Sequence, residues 1–83
     1  MAKTHNLKIV PTHFHEVVEG NKKFEIRWND RGFETGDNLC LEEWSPEAME
    51  YTGKECNVNI THMLSGGVYG LDRGYVIMSI ILI

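Results

Sequence analysis

Apolar and polar positions alternate along most of this chain, and the breaks in that alternation mark its elements. From His5 to Val10, Leu7 and Ile9 fall on one face and Lys8 on the other, the pattern of a short half-buried strand. Pro11 cannot continue a ladder but suits the first turn of a helix. Phe14, Val17 and Val18 then follow at helical spacing, and Gly20 stands where a left-handed C-cap belongs. This short helix is expected to plug one opening of a sheet. Lys23 to Trp28 alternates again: Phe24, Ile26 and Trp28 point one way and Lys23, Glu25 and Arg27 the other, so that if Phe24 and Ile26 fill the core the charged set lines the opposite surface. Asn29 to Gly32 and Gly36-Asp37 carry turn chemistry, and Asn38 to Trp44 reads as a strand with Leu39 and Leu41 inward. Ser45-Pro46 through Thr52-Gly53 reads as a long connection. Lys54 to Leu64 places Cys56, Val58, Ile60 and His62 on one face, with Asn57, Asn59 and Thr61 on the other. Gly66, Gly67, Gly70 and Gly74 mark a glycine-rich loop, expected to be mobile. Tyr75 to Leu82 is apolar on both faces, as suits a central or doubly covered strand.

Several alternating strands with one helix to cover them predict a mostly β, α+β fold: a small mixed β-barrel of about five strands with one short N-terminal helix. The length of 83 residues makes residues 1–83 a single domain with one small core. A formal net charge of -4 excludes a strongly basic nucleic-acid wrapper, so any anion contact must be local. No basic, apolar leader precedes Leu7, and the apolar run from Tyr75 to Ile83 is far short of a membrane span, so the chain is expected to be cytoplasmic with no membrane partner. Two cysteines, Cys40 and Cys56, are too few for a disulfide scaffold and read as small core hydrophobes, although sequence does not show whether they lie close together.

The candidate chemistry lies between Gly20 and Asp37. Side chains two apart on a strand share a face, so Glu25 and Arg27 stand roughly 7 Å apart, with Lys22 at the strand start. A guanidinium there can grip a phosphate or carboxylate bidentately while Glu25 accepts from a ligand amide, amine or hydroxyl. Asn29, Asp30 and Arg31 would add donors and acceptors at the strand end, and Tyr69 in the glycine loop is the stacking candidate. By alternation alone, a solvated ion pair on an outward sheet face, of little energetic consequence, is the favoured reading of Glu25 and Arg27. Trp28 and Trp44 are expected in the core or its rim. His13 and His15 face apart on the helix, and His5 and His62 share no ligand cluster with them, so these histidines read as surface or half-buried groups and no metal or other cofactor is expected. His62 is the histidine whose strand could border a groove.

The pattern Gly20-x-Lys22-x-x-Glu25-x-Arg27, placed after a short strand and helix, resembles the ASCH domain (activating-signal-cointegrator homology) of the PUA-like superfamily of small barrels. Phe24-Glu25-Ile26-Arg27, Asn29-Asp30-Arg31, Gly36-Asp37, Leu41-x-Glu43-Trp44, Tyr51-Thr52-Gly53 and the glycine loop before Tyr75-Val76 extend the likeness to short stand-alone bacterial and phage domains of unassigned function. The resemblance implies a cleft at Lys22, Glu25 and Arg27 that binds RNA or a nucleotide. Some ASCH-like proteins are amidohydrolases of acylated cytidine nucleosides that use a lysine, a threonine nucleophile and a glutamate; others are described as ribonucleases. Lys22 matches the lysine, but Glu25 holds the threonine position, and a carboxylate cannot serve as that hydroxyl nucleophile. The expected role is therefore a binding module, in which loss of Arg27 would weaken the ligand with little loss of stability. The alternatives are a small hydrolase using the same cleft and a protein-interaction or regulatory domain. The chain is expected to be a monomer or a weak homodimer through its apolar end, Ile80 to Ile83.

Overall fold

A computed structural model describes residues 2–83. Five strands and one helix follow in the order β1 (Thr4–Ile9), α1 (Pro11–Val18), β2 (Phe24–Trp28), β3 (Asn38–Ser45), β4 (Glu50–Ser65) and β5 (Tyr75–Leu82). They form one mixed sheet, ordered β1-β3-β4-β5-β2, that curls into a half-barrel. β1 runs parallel to β3 and every other pairing is antiparallel, so the edge strands β1 and β2 run in opposite directions across an open seam. The expected mostly β fold with one early helix is therefore the observed one.

The core gathers the inward residues of alternating strands: Leu7 and Ile9, Leu39 and Leu41, Val58 and Ile60, and Val76, Met78 and Ile80. Phe14 and Val17 on α1, as their helical spacing requires, and Phe33 between β2 and β3 complete it. The helix closes as its sequence predicts. Gly20 sits at φ 80°, its N–H donates to Val17 O, and Asn21 N donates to Glu16 O, the double bond of a Schellman close. Lys22 N also donates to Glu16 O at 3.0 Å, which fixes where Lys22 leaves the turn.

Three expectations are corrected. Phe24, Ile26 and Trp28 do not enter the core: they face outward, with Trp28 55% exposed, while Glu25 and Arg27 point into the half-barrel. Outside, Ile26 pairs with Ile77 and Trp28 packs edge-to-face on Tyr75, so apolar cross-strand pairs hold that face without a covering layer. Ser45 to Gly53 is not a long connection but the end of a hairpin, with Trp44 opposite Tyr51 and the rings 4.9 Å apart. A register shift between Ile60 and His62 turns His62 outward and brings Met63 against the core instead.

A buried polar group lies at the start of β1. His5 is buried rather than at the surface, its Nε2 2.9 Å from Asp37 Oδ2, with the Phe33 ring edge-on at 4.8 Å. Asp37 also accepts from the amides of Lys3 and Glu34, so the Gly36-Asp37 turn anchors the chain entering β3 to β1.

Candidate functional site

Glu25 is 3% exposed, and both of its carboxylate oxygens are held by cations. Lys22 Nζ donates to Oε1 at 2.6 Å and Arg27 Nε donates to Oε2 at 2.9 Å. Burying a carboxylate is tolerable only with such pairing, and strand alternation supplies Arg27 while the Gly20 turn supplies Lys22. The sequence-predicted trio is thus brought together, on the inner face of β2 rather than on an outer one.

The trio lines a cleft of about 480 Å³ at the open seam. Its β2 wall runs from Phe24 through Arg27, with Lys22 below. Lys8, Ile9 and Val10 form the opposite wall, and His13 on the first turn of α1 closes one end. Helix α1 has no side-chain N-cap and no acidic residue in its first turn, so the amides of Thr12 and His13 have no partner within the helix. Lys22 and Arg27 against Glu25 leave the cleft locally cationic in a chain of net charge -4, while the Lys8 ammonium lies outside on the Trp44 ring, 3.9 Å from its centroid.

Free donors decide what this arrangement can bind. Lys22 spends one N–H on Glu25 and one on Phe24 O at 2.8 Å, and keeps a third. Arg27 spends Nε on Glu25 and one Nη2 hydrogen on Lys8 O at 2.9 Å, which leaves about three donors, including the whole of Nη1. Glu25 has no oxygen left without a cationic donor. It orients Lys22 and Arg27 and leaves the outward donors for an anion.

The other predicted site residues lie elsewhere. Asn29 Oδ1 accepts from Phe33 N and holds the turn after β2. Arg31 donates to Asn6 O at 2.9 Å further along the seam, and Asp30 stands 3.9 Å from the Arg31 Nε, in solvent. Tyr69 is 93% exposed and does not line the cleft. His62 is exposed and also outside it. Sequence reasoning missed Lys8, Val10 and His13. The signal for His13 was the free helix start after Pro11; Lys8 and Val10 arrive only through the folding of β1 opposite β2.

Cys40 and Cys56 are both free. Cys56 sits opposite Leu41 and shares its inward face, whereas Cys40 points to the other side of β3, where Glu55 Oε2 accepts from its thiol. Burial, reinforced by Glu55, pushes the Cys40 thiol up to about 11, and burial also raises Cys56. Among the described residues no cluster of three His, Cys, Asp or Glu could hold a metal ion, and no helix is long and apolar enough to cross a membrane.

Residues 4–80 match the family described as "Domain of unknown function (DUF3850)". The chain is also 41% identical over 61 residues to an uncharacterised 12.9 kDa protein of Escherichia phage P2. That alignment covers 74% of this chain and 54% of the relative, so the chain spans about half the length of the curated relative it matches.

Proposed function

Because this chain belongs to the DUF3850 family, whose description assigns no activity, we propose a role from the cleft itself: an RNA- or nucleotide-binding module that holds phosphate between Lys22 and Arg27. The observation that carries the reading is the buried Glu25 with a cation on each oxygen, which aims a rigid guanidinium and an ammonium into the cleft. The resemblance to the ASCH domain supports the same reading. So does the cleft volume, which suits one nucleotide unit rather than a duplex. The acidic net charge favours a short or single-stranded ligand held at one locus. A cytoplasmic site of action fits such a ligand and two unpaired thiols.

Binding is favoured over hydrolysis. A general acid or base needs an oxygen free to exchange a proton with substrate, and both Glu25 oxygens are engaged. The test is titration of fluorescent single-stranded RNA and of nucleoside monophosphates into the wild type and Lys22→Ala, with folding checked by circular dichroism. Loss of one charge-assisted contact should weaken binding by about 1.5–3 kcal/mol, on the order of ten- to a hundredfold. Absence of saturable binding to either class by the folded wild type would overturn the reading.

A further inference from the structure

We infer that the cleft recognises the base of its nucleotide as well as the phosphate, and that the recognising group is the unpaired peptide edge of Ile26. This rests on the nucleotide reading above. Pairing alternates along β2: Lys23 O accepts from Ile80 N at 3.0 Å and Asn29 N donates to Gly74 O at 2.7 Å. Odd-numbered residues therefore direct their N–H and C=O at β5, and Phe24, Ile26 and Trp28 direct theirs into the seam. No ladder joins β2 to β1 there.

Most carbonyls facing that seam have been given partners. Phe24 O accepts from Lys22 Nζ and Trp28 O from Asp30 N. Across the gap, Lys8 O accepts from Arg27 and Asn6 O from Arg31. Ile26 lies between these capped positions with its backbone at the cleft, and among the described residues its N–H and C=O take part in neither the β5 ladder nor a bond across the seam. Backbone polar groups are rarely left unmatched, so this pair is satisfied from the cleft, by water or by a ligand.

One donor beside one acceptor on a strand edge complements a heterocycle that carries adjacent C=O and N–H groups, as uracil and guanine do on their Watson–Crick edges. Arg27, the next residue, keeps free donors for the phosphate of the same nucleotide. An extended peptide could also pair with a free strand edge. Here, however, Arg27 and Arg31 bridge the seam to Lys8 and Asn6, so an added strand must break both contacts, whereas a single ring needs only the opening at Ile26.

The experiment follows the backbone amides of the full chain by NMR during titration with uridine 5′-monophosphate, its N3-methyl derivative and ribose 5-phosphate. The expected result is a displaced Ile26 amide resonance with uridine monophosphate and an affinity about tenfold above that for the other two, which lack the N3–H donor. Equal affinity for all three, or binding that moves the Arg27 signals and leaves Ile26 in place, overturns the base reading and leaves phosphate binding standing. If none of the three binds, both readings fall, and an extended peptide that shifts Ile26 instead would make the seam a strand-addition site.

Discussion

Arg27 reaches from β2 across the open seam to the backbone carbonyl of Lys8 on β1, Nη2 to O at 2.9 Å, while its Nε holds Glu25. One side chain thus joins two strands that share no ladder and also compensates the buried carboxylate. Closure of the half-barrel and the charge of the cleft therefore depend on the same residue.

That double duty revises the expectation that Arg27 is dispensable for stability. Arg27→Ala leaves Glu25 with Lys22 alone and strips the cap from Lys8 O, which should cost about 2–4 kcal/mol in chemical denaturation. Arg27→Lys retains a cation but cannot serve Glu25 and Lys8 O with a planar fork, and should fall between the two. A denaturation midpoint for Arg27→Ala equal to that of the wild type would refute the bridging role.

The His5–Asp37 pair gives a pH signature. Hydrogen bonds from His5 first, then from the Lys3 amide, hold the Asp37 carboxyl below its ordinary value of 3.8, against the opposing effect of burial. A depressed carboxyl stabilises the fold fully above the unfolded value, and this contribution disappears as pH falls through the lower folded value. Asp37→Ala should therefore cost about 2–4 kcal/mol at neutral pH. The gap between variant and wild type should narrow below pH 4 in denaturant melts across pH; a constant gap down to pH 2 would contradict it.

The sequence made legible whatever local spacing determines. Phe14 and Val17 with Gly20 marked the helix and its close, and Leu7, Ile9, Leu39 and Leu41 marked the inner faces of β1 and β3. Alternation shows the two faces of β2 but not which one is inside, and apolar residues ordinarily face inward. Here Lys22 and Arg27 neutralise Glu25 inside, and Ile77 and Tyr75 give Ile26 and Trp28 partners outside. His62 was misplaced by a bulge, which alternation alone does not reveal. Lys22, Glu25 and Arg27 were found because they are neighbours in sequence, whereas Lys8 and His13 reach the cleft only through the tertiary path of β1 and α1.

Gly74 should tolerate no side chain. At φ 93° it lies in the left-handed region, and a Cβ there would stand 2.5 Å from the Trp28 ring. Gly74→Ala should destabilise the fold by about 1–3 kcal/mol through backbone strain and displacement of Trp28 from Tyr75. Tryptophan fluorescence should report a more solvated Trp28 in the folded variant; an unchanged spectrum and midpoint would show that the ring does not pack there.

The two thiols should be slow to react and should not join. With burial, Glu55 and Glu42 raising its pKa to about 11, Cys40 is a thiolate in only about one molecule in a thousand at pH 8. Cys56 is disfavoured by burial and by the charge of Glu25. Because the two point to opposite faces of the sheet, oxidation should give no intramolecular disulfide without unfolding. Ellman's reagent at pH 8 should label the native chain at least tenfold more slowly than the chain in denaturant, and both thiols should titrate once it unfolds. Rapid native labelling of Cys40, shown by its loss in Cys40→Ser, would mean that the thiol is not held between β3 and Glu55.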